Sequence, residues 1–86
     1  MINQKPQIEP GDLVRFSCYS NAGTLTYGVA TVDGYLECSN DRFLSHEVAK
    51  SSLGLYLGPA ATRKDVGIIL VDEHRLYVNI QDFEKI

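Results

Sequence analysis

The sequence predicts an all-β protein, a small closed antiparallel barrel of five to six short strands. Three observations lead there. Apolar and polar residues alternate over runs of four to eight, turn-forming pairs such as Pro10-Gly11, Asp33-Gly34 and Gly58-Pro59 separate those runs, and no long amphipathic helical stretch occurs. The chain has 86 residues, of which 44% are hydrophobic and 22% charged. A chain of this length buries roughly 60–65% of its unfolded surface, enough for one core and a single domain over residues 1–86. It is too short to make two full sheets of a sandwich, so the strands must close on themselves.

Taken in order, residues 1–8 read as an extended arm, because Pro6 and Pro10 disfavour helix just before them. Pro10-Gly11 is a turn, after which Val14, Phe16 and Cys18 alternate with Arg15, Ser17 and Tyr19 in a first strand. Ser20 to Gly23 suits a hairpin loop, and residues 24–33 form a second strand with Leu25, Tyr27 and Val29 on one face. Asp33-Gly34 turns the chain sharply into Tyr35–Cys38. Residues 39–52 read as a loop, with one helical turn or a short strand as alternatives. Leu53, Leu55 and Leu57 then share one face of a strand that Gly58-Pro59 ends. Val66 to Val71 is apolar on both faces, the pattern of a central or interface strand. Asp72-Glu73-His74 makes a turn, and the chain returns with Leu76, Val78 and Ile80 inward and Arg75, Tyr77 and Asn79 outward. The tail fits a 3₁₀ turn around Phe83 and a last strand residue or two.

Charge and composition exclude several function classes. Eight Lys plus Arg against eleven Asp plus Glu give a net charge of −3, so indiscriminate binding to polyanions is not expected, though a local basic rim is allowed. The longest apolar run, Ile68 to Val71, is far short of a membrane span. No signal-peptide pattern precedes Cys18 and Cys38, which suits a cytoplasmic protein with two buried free thiols, although a Cys18–Cys38 bridge stays open. These thiols and the scattered His46 and His74 lack metal-ligand spacing, so no metal or cofactor is expected. No nucleophile has a neighbouring His and acid in a catalytic pattern, and no Gly-rich phosphate loop occurs. The expectation is a protein that is not an enzyme.

The opening EPGDLVRF and the closing GIILVDEHRLYVNIQDFEKI resemble the first and last parts of SH3-like barrels, a plan shared by many small proteins of tailed phages. A sharper resemblance is to Sm-like proteins, SH3-like barrels that assemble into RNA-binding rings. In Gly34 to Leu44, Gly34, Leu36 and Phe43 match their first motif, Asn40 stands where an Asp would be, and Leu44 replaces an Asn. Gly67 to Val71 and the aliphatics Leu76, Val78 and Ile80 match the second motif, while Asp72-Glu73 replaces its Arg-Gly. The resemblance implies a homo-oligomeric ring that holds single-stranded RNA or DNA at pore-side loops, in the cytoplasm of a bacterial host if phage-encoded. The alternative is a phage head–tail or baseplate component that uses the barrel for oligomerisation only.

Candidate residues follow. Asn40, Arg42 and Phe43 on one loop, with His74 and Arg75 on the last hairpin, supply an aromatic, a planar guanidinium and hydrogen-bonding groups for a single-stranded base. Core packing of Phe43, and pairing of Arg75 with Asp72 or Glu73, are the alternatives. Arg63-Lys64 would repeat around a ring as a positive belt for phosphates, blunted by Asp65. Ile69 and Val71, with Tyr77 on the next strand, are the expected oligomer interface, because a strand apolar on both faces must place one set outside its own core; cover of Ile69 and Val71 by the N-terminal arm is the alternative.

Overall fold

The computed structural model describes residues 8–17, 23–39 and 42–86, with the backbone alone described at Ser39, Arg42 and Phe43. The strands are β1 (Leu13–Phe16), β2 (Thr24–Val29), β3 (Cys38–Ser39), β4 (Arg42–Phe43), β5 (Ser45–Ala49), β6 (Leu53–Pro59), β7 (Val66–Val71) and β8 (His74–Asn79). A 3₁₀ turn, Ile80–Asp82, leads into β9 (Phe83–Lys85). All pairing is antiparallel. Seven strands form one sheet in the order β5-β2-β8-β7-β6-β1-β9, and β3 pairs with β4 alone.

The chain is therefore all-β, with more strands than the five to six expected. Of the additional ones, β4 and β5 lie within residues 39–52, the expected loop, and β3 enters it at Ser39. Only Val48 of β5 is a fully buried large apolar residue. Main-chain pairing of β5 to β2, from Thr24↔Ala49 to Gly28↔Ser45, holds a segment whose side chains carry little strand signal.

The sheet curls strongly but is not closed: edge strands β5 and β9 do not pair with each other. The curl is produced between β5 and β6. Lys50 N–H donates to the Gly23 carbonyl, Ser51 N–H to that of Phe16, and Phe16 N–H to that of Ser52. Three successive residues thus carry the chain from the start of β2 to the end of β1, with Ser51 at φ 72°. Across the interior the rings of Phe16 and Tyr27 lie 5.5 Å apart, although their strands stand four places apart in the sheet. This geometry corrects the expected hairpin between the first two strands: β1 pairs with β6 and β9, β2 with β5 and β8.

The main core joins Val14, Phe16, Tyr27, Val48, Tyr56, Ile69, Val71, Leu76, Val78 and Phe83. A second cluster, Ala30, Ala60, Val66 and Ile68, lies on the other face of β7 with Tyr77 packed against it. It is covered by the hairpin that Asp33-Gly34 turns: Gly34, at φ 87°, is so close to the next segment that a Cβ would stand 2.9 Å from the Ala61 nitrogen. Strand β7 is apolar on both faces because both faces are covered within one protomer. Ile80, expected inward, begins the 3₁₀ turn instead and is 48% exposed. Cys38, expected to be buried, is an exposed free thiol. Cys18, and the hairpin loop placed at 20–23 apart from Gly23, lie outside the described residues, as does the arm before Ile8. Among the described residues no helix is long and apolar enough to cross a membrane.

Candidate docking face

The outer face of β1, β6 and β7 carries a stripe of leucines. In β6 Gly54 and Tyr56 point inward while Leu53 and Leu57 are exposed and Leu55 is half-buried, and a β-bulge between Tyr56 and Gly58 then pairs Gly58 with Ile68 of the second cluster. The leucines share one face, as their spacing predicts, and that face is the outer one. Gly54 shows why. A Cβ there would stand 2.5 Å from Ile69 Cγ2 and 2.8 Å from Val71 Cγ2, so β6 crosses the core at glycine distance and no leucine fits inward.

Register extends the stripe sideways. Leu13 of β1 is the partner of Leu55, and Leu55 is in turn the partner of Leu70 of β7. Leu13 alternates with fully buried Val14 and Phe16, so it points out and is 57% exposed. Leu53, 54% exposed, has Arg15 as its partner. Beyond Leu70 and Val71 comes the hairpin tip Asp72-Glu73, where both residues take positive φ (50° and 68°) in a two-residue turn. An apolar row is thus bounded by a cation on the β1 side and two carboxylates on the β7 side. Fully burying a leucine contributes about 1.5–3 kcal/mol, so a surface with several of them half-open favours cover by another surface.

Of the residues expected at an oligomer interface, Ile69 and Val71 are buried within the protomer. Ile69 is 0% exposed and Val71 is buried beside it in the main core. Strand β7 has β6 and β8 on its two edges, so it offers no free edge either. Tyr77 is half-buried over the second cluster, with its hydroxyl 3.3 Å from Thr62 Oγ1.

The expected nucleic-acid residues are not drawn together where they are described. Arg63 and Lys64 sit before β7, whereas His74 and Arg75 follow it, so the length of β7, roughly 17 Å, separates the two pairs. Arg63 is also held in a two-point ion pair with Asp65, Nη2 to Oδ2 at 2.7 Å and Nε to Oδ1 at 3.0 Å. That contact raises the guanidinium and lowers the carboxyl. His74 and Arg75 lie on opposite faces of β8. Arg75 shares the outer face with Tyr77 and reaches the shallow pocket lined by Val32, Asp33 and Leu57. The His74 ring stacks on His46 of β5 at 4.3 Å, and His46 Nε2 is 3.4 Å from Asp72 Oδ2. Even so, among the described residues no group of three or more His, Cys, Asp or Glu is arranged to hold a metal ion. Asn40 lies outside the described residues, and for Arg42 and Phe43 only their place in β4 is described.

Comparison with protein-family models, with curated proteins and with solved structures gave no match.

Proposed function

We propose that this chain is an assembly domain: a small SH3-like barrel, its final seam left unpaired, that works by docking its outer leucine face. The observation that carries this reading is the apolar row Leu13–Leu55–Leu70 with Leu53 and Leu57 beside it, in which Leu13, Leu53 and Leu57 are exposed and Leu55 and Leu70 half-buried in the protomer. The inner positions between them leave no room for leucine, because a Cβ at Gly54 would strike Ile69 and Val71 and Tyr56 already packs in the core. A head–tail or baseplate component of a tailed phage is one setting for such a domain. Sedimentation of the wild type beside Leu13→Ser and Leu55→Ser tests the reading. Loss of association in the variants, with unchanged circular dichroism, supports it. Equal behaviour of all three refutes it.

A second reading, an Sm-like ring holding single-stranded RNA or DNA, is favoured by one observation. Arg75 stands beside the 32–34 turn, and Tyr35, next in sequence, is 52% exposed. A guanidinium and an open ring on one loop cluster can stack a base, worth roughly 1–3 kcal/mol. Fluorescence anisotropy with labelled U-rich RNA and matched DNA at two salt concentrations tests it. Salt-sensitive binding that Arg75→Ala and Tyr35→Ala abolish supports this reading, and absence of binding at low salt removes it.

A further inference from the structure

We infer that the occupant of the leucine face is a second copy of this chain, docked about a two-fold axis that runs along β6. The inference rests on the assembly reading and names its partner.

The face is self-complementary about β6. A two-fold axis parallel to β6 exchanges the strands on either side of it, so β1 of one protomer lies over β7 of the other. Leu53, Leu55 and Leu57, all on β6, then meet their own counterparts along the axis. Leu13 and Leu70 stand at the same level on opposite sides of Leu55, so each Leu13 meets the other copy's Leu70. Arg15 is the partner of Leu53 on the β1 side, and on the β7 side the chain at that level has reached Asp72-Glu73. The same operation therefore sets Arg15 of each copy against the acidic hairpin tip of the other, twice over.

Among the described residues no ion pair holds Arg15 or Glu73, although Glu84 of β9 is the cross-strand partner of Arg15, and Asp72 makes only its 3.4 Å contact with His46. Within one protomer Arg15 and the hairpin tip are kept apart by the width of β6, roughly 10 Å from β1 to β7. Both lie one strand from the axis, where a convex sheet can still touch its twin. A like-charged arrangement would have opposed the contact, and a face without polar residues would have left orientation unset.

The size of the face sets the strength. Three strands about 4.8 Å apart and five residues long span on the order of 250–400 Å² per protomer, below the roughly 800 Å² of a standard interface. The dimer is accordingly weak, with Kd in the micromolar range or above.

The test is sedimentation equilibrium between about 10 and 500 μM at low salt. Wild type moves from the 9.6 kDa chain mass toward twice that value. Arg15→Glu alone and Glu73→Arg alone each weaken association at least tenfold. The double variant regains it, and an equimolar mixture of the two single variants forms a heterodimer tighter than either parent. Mixing works because each of its two charge contacts again joins opposite signs. Wild type that stays at 9.6 kDa throughout overturns both the two-fold dimer and self-assembly. Association that Leu55→Ser abolishes but that ignores the charge reversals and their mixture overturns the two-fold arrangement alone.

Discussion

Replacing Ile69 with alanine separates the two roles that β7 could have. Ile69 is 0% exposed and packs in the main core, and its Cγ2 is the atom that a Cβ at Gly54 would strike first. Ile→Ala removes three carbons, worth about 0.8 kcal/mol each in transfer free energy, or roughly 2.4 kcal/mol. The cavity left behind raises this into the range of about 2–5 kcal/mol. An 86-residue domain has roughly 4–13 kcal/mol of stability to lose, so the variant is severely weakened. Ile69→Val, at about 0.5–1.5 kcal/mol, supplies a graded version that stays folded. The assay is urea unfolding followed by far-UV circular dichroism, since the chain has no Trp. The midpoint falls in the order wild type, Val, Ala with m unchanged, and the folded Val variant associates like wild type. A loss below about 1 kcal/mol for alanine, together with altered association in the valine variant, would show that Ile69 faces a partner after all.

Two further predictions concern the same fold. Gly54→Ala overpacks the core against Ile69 and Val71 and costs about 1–3 kcal/mol, read as a lower midpoint in the same unfolding assay. Asp12 accepts a hydrogen bond from Glu9 N–H at 2.9 Å and lies 3.4 Å from Lys85 Nζ, and its carboxyl is held below the usual range, first by that backbone bond. A depressed carboxylate stabilises the fold above its unfolded value, and the contribution is lost as pH falls through the folded one. Asp12→Asn therefore melts below wild type at pH 7, and the difference shrinks as pH drops below about 4. A difference that grows on acidification would contradict this.

How much of this was legible depended on what each strand packs against. β7 and β8 could be read because Val66–Val71 fills two clusters and Leu76 and Val78 alternate cleanly into one. β5 could not, since its inner positions are His46 and Val48 and main-chain pairing supplies the rest. β6 gave its periodicity but not its direction. Leucine normally marks the core face, and only the intervening Gly54 signalled that the inner side had no room. The pattern of β7 does not say which apolar set faces inward: Ile69 and Val71 pack in the main core, and the Asp33-Gly34 hairpin covers Val66 and Ile68 on the second face. The stacking of His46 on His74 joins strands 28 positions apart in sequence and leaves no local signal.

The central claim, that the leucine face and not Ile69 and Val71 drives assembly, is tested most directly by comparing Leu55→Asp with wild type in sedimentation equilibrium at several hundred micromolar. Leu55 is half-buried on the outer face, so the variant keeps the wild-type circular dichroism spectrum. The account predicts that it remains at 9.6 kDa where wild type approaches twice that mass. A folded Leu55→Asp chain that associates as strongly as wild type would contradict it.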